Sequence, residues 1–211
     1  SNTQQWQIVP QDDDCETQAP TPHWEKIRQS AREVLSHFLP ARYPQSVAPE
    51  YSKFAAYSFV ASVAGSAGMV LSTQTLLLAV GVMSNAGEAS IMAGALNWVL
   101  KDGVGQLGGI LFASQMGESR QYDDHPKYWR LTGSMALDAA NFIEILAPFV
   151  ATSMVLPVAC AANVVKNAAF LTIGASRAAL HQSLACSSNL ADVTAKSGSQ
   201  NMAASLLGTS V

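Results

Sequence analysis

The chain has 211 residues, a formal net charge of −3 and a pI of about 5.7, which excludes the strongly basic surface typical of nucleic-acid-binding proteins. Only 13% of the residues are charged, whereas 49% are hydrophobic; an ordinary globular domain has roughly 25% charged residues. This composition favours tightly packed helices, either in a membrane or in a buried bundle.

The N-terminal region divides into three parts. Residues 1–22 are rich in Gln, Asp, Thr and Pro, which predicts a disordered acidic leader ahead of a helical domain over residues 23–211. From Trp24 to Phe38, apolar side chains recur at helical spacing with charged side chains opposite, which predicts an amphipathic helix on a membrane surface or on the domain. Three prolines between Leu39 and Tyr51 then predict a loop.

The next segment is long and apolar. No Asp, Glu, Lys or Arg occurs from Phe54 to Gly87, which exceeds the roughly 20 apolar residues that a helix needs to cross a bilayer. Small residues four apart, such as Ala61 and Gly65, favour close helix contact. A membrane span and a soluble helical hairpin both fit this pattern. The pattern predicts a break near Ser72 or at Gly81, and residues 81–87 predict a turn.

The centre of the chain, residues 97–113, combines charge and glycine. Lys101 and Asp102 are adjacent in an apolar segment and are followed by four glycines: Gly103, Gly105, Gly108 and Gly109. A buried charge costs several kcal/mol unless it is paired, and Gly in a helix costs about 1 kcal/mol relative to Ala. We therefore predict close helix packing at these glycines. They also match the dinucleotide pattern GxGxxG, but that fingerprint requires a preceding strand, and the preceding residues have a helical pattern.

The C-terminal half predicts further helices. A charged loop spans residues 117–127, and a long apolar segment follows in which Asp138 and Glu144 share one helix face. Pro148 and Pro157 are expected to kink or divide that segment. Residues 158–185 predict a helix, residues 187–200 a polar tail and residues 201–207 a short final helix. Because no strand pattern of any length occurs, the predicted fold is an all-α, multi-helix bundle with small-residue helix contacts that is associated with a membrane.

Several ionic side chains are candidates for a functional or structural polar cluster. The preferred interpretation is a buried seam in which cations on one helix neutralise carboxylates on another; a carboxylate pair for acid–base chemistry or a metal site is the alternative. No His or Cys stands at a telling spacing from the carboxylates, so we predict no enzyme, no metal and no cofactor. The cluster consists of Lys101, Asp102, Asp138, Glu144, Lys166, Arg177, Asp192 and Lys196.

Four segments, in order, resemble motifs of the root UVB sensitive (RUS) family. They read FLPARYPQSV at residues 38–47, WVLKDGVGQLGGILF at 98–112, GASRAALHQ at 174–182 and NLADVTAKSGSQ at 189–200. Two positions depart from the family pattern: Leu190 stands where Met is common, and Ser197 where an acidic residue is common. The resemblance covers the chain from about Phe38 to its end, and we expect a C-terminal half of a full-length member to be missing.

The resemblance implies a helical, membrane-associated protein without an established enzymatic activity, acting as a scaffold or in transport. Plant members are linked to UV-B sensing in roots, auxin transport and seedling development, and some lie in plastids. It also implies protein partners, including other family members, and a membrane of a plastid or another organelle, but no nucleic acid. A soluble or peripheral helical module that binds a small ligand or a partner protein is the alternative. The family has no agreed catalytic residues.

Overall fold

The computed structural model describes residues 23–79, 88–116 and 121–210. The predicted leader over residues 1–22 and the predicted turn over residues 81–87 lie outside these ranges. Within them the only β-structure is an isolated bridge between Val47 and Ala185, so the predicted all-α fold is confirmed. The helices are α1 (His23–Ser36), α2 (Tyr51–Ala79), α3 (Glu88–Met116), α4 (Gln121–Asp124), α5 (Pro126–Ile145), α6 (Thr152–Leu184) and α7 (Leu190–Thr209), with a short 3-10 helix at Ala147–Phe149.

The chain divides into two compact units, Ser1–Ser36 and His37–Val211. The described part of the first unit is the amphipathic helix α1, in which Trp24, Ile27 and Val34 are each more than half exposed. The helix predicted from Trp24 to Phe38 is therefore present and ends slightly earlier, at Ser36.

In the second unit, α6 is the central helix. Its most extensive contacts are with α5 and α3, while α2 packs mainly against α7 and α5. A Cβ atom at Gly105 would meet Asn163, and one at Gly109 would meet Asn167. Because both contacts advance by four residues, α3 and α6 run parallel.

The contacts of α2 with α7 also depend on small side chains. Ser62 Oγ donates to Asn201 Oδ1 at 2.9 Å, and Ser66 Oγ donates to Ser205 Oγ at 3.1 Å, so these helices are parallel as well. A Cβ atom at Gly208 would lie 2.8 Å from Ser66 Cβ. The two backbones approach so closely because neither helix has a bulky side chain at this contact.

The structure corrects the predicted C-terminal region. Most of the predicted polar tail, residues 190–200, forms the first half of α7, which starts at Leu190 and continues to Thr209. Its buried residues are Val193, Ser197, Ala204 and Gly208. This stripe of mostly small residues is too polar to stand out as an amphipathic pattern, yet it faces inward because α2 offers an equally small surface.

The predicted interruptions of the long helices are only partly present. The break near Ser72 is wrong, since α2 is continuous from Tyr51 to Ala79; the Ser72 hydroxyl donates to the Met69 carbonyl at 3.1 Å, so it is satisfied inside the helix. Pro148 lies in the 3-10 helix that separates α5 from α6. Pro157 lies inside α6, close to its start, and does not divide it.

Candidate functional site

A buried ion pair joins α5 and α6. Lys166 Nζ donates to Glu144 Oε2, and it also donates to Ser72 Oγ on α2 at 3.2 Å. Glu144 is 2% exposed and Lys166 is 5% exposed. The sequence predicted this pairing of cation and carboxylate across two helices; the structure adds Ser72 as the contribution of a third helix.

The surroundings of this pair are polar but incompletely bonded. Ser72 Oγ also lies 3.3 Å from Asn141 Oδ1, so this oxygen and the Met69 carbonyl compete for the single hydroxyl proton of Ser72. Glu144 Oε1 and Asn141 Nδ2 are both buried and have no hydrogen-bond partner among the described residues. Since an unsatisfied buried polar group costs about 1–3 kcal/mol, this cluster lowers the stability of the bundle unless another group completes it.

A second polar pair lies on α3. Lys101 Nζ is 2.7 Å from Asp102 Oδ1 and 4.4 Å from the ring centroid of Trp98. Asn163 Nδ2 of α6 donates to the Lys101 carbonyl at 3.0 Å and to Asp102 Oδ1 at 3.2 Å. Asn163 is one helical turn from Lys166, so the two pairs are neighbours along α6. Together they form a central polar cluster of Lys101, Asp102, Asn141, Glu144, Asn163, Lys166 and Ser72.

The glycines of α3 bring it close to this cluster. A Cβ atom at Gly105 would lie 2.8 Å from Asn163 Cγ, and one at Gly108 would lie 2.6 Å from a Val164 methyl carbon. A Cβ atom at Gly109 would lie 3.0 Å from Asn167 Cβ. The predicted packing does not extend to Gly103, which is exposed and where a Cβ atom would meet nothing within 4 Å.

Asp138 and Arg177, which the sequence placed in the same seam, line a different space. A cavity of about 370 Å³ lies between α2, α5, α6 and α7 and is lined by both residues together with Arg130. Arg130 lies on α5, outside the two most apolar helices. Burial lowers the pKa of its guanidinium, and the like charge of Arg177 lowers that pKa further. Arg130 was not among the residues predicted from the sequence, although its spacing of eight residues from Asp138 puts both on one face of α5.

The two remaining candidates, Asp192 and Lys196, are on α7. Asp192 Oδ2 accepts a hydrogen bond from the Ala41 amide at 2.7 Å, so it holds the loop before α2. Among the described helices, α7 contacts α2 and α6 but not α3. The structure therefore does not bring Asp192 together with Lys101 and Asp102, and the eight candidate residues do not form one cluster.

Metal ligation gains no support from the described part of the chain, where no group of three or more His, Cys, Asp or Glu is placed to hold an ion. His181 is buried and its Nδ1 lies 3.2 Å from Thr194 Oγ1. Phe54 stacks edge-on against the His181 ring, with the ring centroids 5.8 Å apart. This histidine thus connects three helices, α2, α6 and α7.

The family described as "Vitamin B6 photo-protection and homoeostasis domain" matches residues 24–211. The chain belongs to the root UVB sensitive family. Protein root UVB sensitive 3 of Arabidopsis thaliana is 34% identical over 180 residues, which are 85% of this chain and 40% of that protein. Protein root UVB sensitive 6 of the same plant is 36% identical over 176 residues, 83% of this chain and 34% of the relative.

RUS family member 1 of Dictyostelium discoideum is 30% identical over 171 residues, 81% of this chain and 32% of that protein. The chain thus spans about a third to two fifths of the length of these curated relatives. No solved structure matches the chain.

The first and the last of the RUS motifs recognised in the sequence meet in the structure. The first motif is a loop that contacts the last motif on α7: Gln200 Nε2 donates to the Phe38 carbonyl at 2.6 Å, and Asn189 Nδ2 donates to the Ser46 carbonyl at 3.1 Å. The second motif contains Lys101, Asp102 and the glycines that pack on α6. The predicted family membership is confirmed, and its motifs are largely those that hold helices together.

Proposed function

We propose that this chain is a membrane-embedded helical part of a RUS protein, with a scaffold or transport-related role rather than an enzymatic one. The observation that carries the proposal is an inverted distribution of polarity. The interior contains Lys101, Glu144 and Lys166, whereas large apolar side chains cover the outside of the same helices.

The outward side of α3 is the clearest example. Eight of its large apolar side chains are exposed, and they recur along the whole helix: Met92, Leu96, Val99, Leu100, Val104, Leu107, Ile110 and Leu111. Soluble monomers rarely expose apolar patches larger than a few hundred Å². Contact with lipid would remove the cost of exposing these side chains. The 29-residue helix is about 44 Å long, which is enough to cross a bilayer core about 30 Å thick.

The long apolar helices point the same way. α2 and α6 are long and apolar enough to cross a membrane. Core helices of soluble proteins can be equally long and apolar, but most of their residues are buried. In contrast, the most apolar 18-residue stretch of α2 has no buried residue, and in the corresponding stretch of α6 only 33% of the residues are buried.

The central polar cluster supports a structural or transport role. Ionisable residues inside membrane segments are expensive and usually pair with one another or mark a pathway for ions or substrates. Lys166 pairs with Glu144, and the space next to Lys101, Trp98 and Leu76 is only about 10 Å³. Ionic groups packed this tightly suit helix association better than the binding of a substrate.

The biological setting is proposed from the relatives. The family description names vitamin B6 photo-protection and homoeostasis, and we extend that process to this chain. A relative is named "Protein root UVB sensitive 2, chloroplastic", so a plastid membrane is one proposed location. Other RUS proteins are the proposed partners, because the resemblance to this family implies partners among its members.

Membrane fractionation tests the proposal. The expressed chain should remain in the membrane pellet after alkaline carbonate extraction and enter solution only with detergent. Complete release by carbonate would contradict it and favour the alternative of a soluble or peripheral helical module. For the vitamin B6 role, cells that lack the protein should contain altered amounts of B6 vitamers, and unchanged amounts would contradict that part alone.

A further inference from the structure

The cavity between α2, α5, α6 and α7 has a chemistry that the membrane proposal does not explain. Its volume of about 370 Å³ lies within the range of small-molecule sites, roughly 300–1,000 Å³. Arg130 and Arg177 line it from adjacent helices, and Asp138 is the one carboxylate of its lining. The lining also includes small residues of α2, and Asn201 and Ser205 on α7.

The two arginines lack an anionic partner within the described structure. No described carboxylate oxygen lies within 4.0 Å of either guanidinium, since the ion pairs there are Lys101–Asp102 and Lys166–Glu144. Both arginines are only partly exposed. Two like charges that share a half-buried cavity repel one another, and an anion placed between them would remove this repulsion.

Two polar side chains of the same lining, Asn201 and Ser205, can donate further hydrogen bonds. Asn201 Oδ1 already accepts from Ser62, and Ser205 Oγ already accepts from Ser66. This leaves the amide nitrogen of Asn201 and the hydroxyl proton of Ser205 without an acceptor among the described contacts. Two guanidinium groups and two neutral donors around one space match the several acceptor oxygens of a phosphate group.

We propose that this cavity binds a ligand carrying a phosphate monoester, with Arg130 and Arg177 as its principal anion contacts. The apolar part of the cavity, which includes Met69, Leu137 and Phe170, would accommodate the body of the ligand. The site goes beyond the proposed membrane role, because the same side chains line it in either surrounding. The phosphate can belong to a small soluble metabolite or to a lipid headgroup.

The first test is calorimetric titration of the detergent-solubilised chain with pyridoxamine 5′-phosphate and with pyridoxamine. This pair differs only by the phosphate, lacks an aldehyde that would react with lysines, and is suggested by the vitamin B6 wording of the family description. We expect only the phosphorylated compound to bind. Equal binding of the two compounds would overturn the proposal.

Substitution of each arginine tests whether the ligand binds in this cavity. Arg130→Gln and Arg177→Gln should each weaken binding by roughly tenfold or more, because a hydrogen bond to a charged group contributes about 1.5–3 kcal/mol. Lys53→Gln removes an exposed cation that does not line the cavity and should change nothing. Affinity that is the same in all three variants would overturn the proposal.

A cavity-filling variant covers the case in which an arginine variant fails to fold. Gly65 lines the cavity, and a Cβ atom there would meet nothing within 4 Å, so Gly65→Leu should fill the space while both arginines remain. We expect it to lose binding with an unchanged or higher melting temperature. Undiminished binding by a folded Gly65→Leu variant would overturn the cavity as the site.

The source of the phosphate is distinguished in nanodiscs. Phosphatidylcholine discs with and without phosphatidic acid should differ in thermal protection of the chain if the ligand is a lipid, and this protection should be lost in Arg177→Gln. Binding of pyridoxamine 5′-phosphate without a lipid effect would assign a soluble metabolite. If neither probe binds, the phosphate site is wrong, whereas the fractionation result, which does not depend on the arginines, is unaffected.

Discussion

The energetics of single residues centre on the ion pair between Glu144 and Lys166. Both side chains are almost completely buried, and desolvation of each ion costs several kcal/mol before their attraction compensates it. Ser72 shares the ammonium group as a hydrogen-bond acceptor. The pair therefore contributes little net stability compared with an apolar pair of the same size, but loss of one member leaves the other as an uncompensated buried charge.

Glu144→Gln should be strongly destabilising. It leaves the Lys166 ammonium without its carboxylate, and removal of one partner of a buried pair costs about 3–5 kcal/mol. The double variant Glu144→Leu with Lys166→Met should regain most of that stability, because no buried charge remains. Thermal unfolding in detergent measures both, with Glu50→Gln, an exposed carboxylate, as the control. A double variant less stable than Glu144→Gln would contradict this account.

At the scale of elements, the contact of α3 with α6 depends on which glycines face the partner. Gly105 and Gly109 are buried, whereas Gly103 is exposed. In a helix, residues 105, 108 and 109 lie on one side and residue 103 lies nearly opposite Gly105. The same helix therefore supplies both a packing glycine and a matched control only two positions away.

Gly105→Leu should overpack the contact with Asn163 and cost about 1–3 kcal/mol. Gly103→Leu should be neutral or stabilising. A Cβ atom at this position would meet no atom within 4 Å, and the change replaces glycine, the poorest helix former other than proline. The melting temperatures of the two variants in the same detergent provide the measurement. Equal melting temperatures would show that α3 does not pack on α6 through Gly105.

The loop before α2 is a second element held by few contacts. Asp192→Ala removes the acceptor of the Ala41 amide and should favour local opening by about 1 kcal/mol. The exposed Arg42 lies next to this contact, so trypsin cleavage after Arg42 should be roughly fivefold faster. Asp123→Ala, at an exposed carboxylate on α4, is the control. An unchanged cleavage rate would mean that other contacts hold the loop.

How far the sequence predicts these elements depends on whether the signal is local. Helical periodicity suggested Lys166 as a partner for the carboxylates Asp138 and Glu144. The pair with Glu144 is present, whereas Asp138 lines a separate cavity. Gly103 and the first half of α7 were misjudged, because glycine and serine have no hydropathy contrast that identifies the buried side. Arg130 was missed because a cavity is created by four helices at once, and no single stretch of sequence records their arrangement.

For the described part of the second unit, the main feature is that Lys101, Glu144 and Lys166 are buried, whereas large apolar side chains are exposed along the long helices. Among the largest fully buried side chains are His181, Glu144, Ser72 and Ser176. In water, such an arrangement would sacrifice the hydrophobic driving force for folding. In lipid, helices associate through small residues and polar contacts instead, and these are the contacts that α2 makes with α7 and α3 makes with α6.

A charge on the outside of α3 discriminates between lipid and water as the surroundings of this unit. Val99 is 68% exposed and lies near the middle of the helix, where Asp in a membrane costs roughly 2.5–3.5 kcal/mol. On a water-exposed surface the same change would stay within about 0.5 kcal/mol. We expect Val99→Asp to reduce the carbonate-resistant fraction severalfold, and Gln115→Asp, at an exposed position close to the end of α3, to leave it unchanged. If both variants behave like the unmodified chain, the outer surface of α3 faces water or a protein partner, and the membrane proposal fails at this helix.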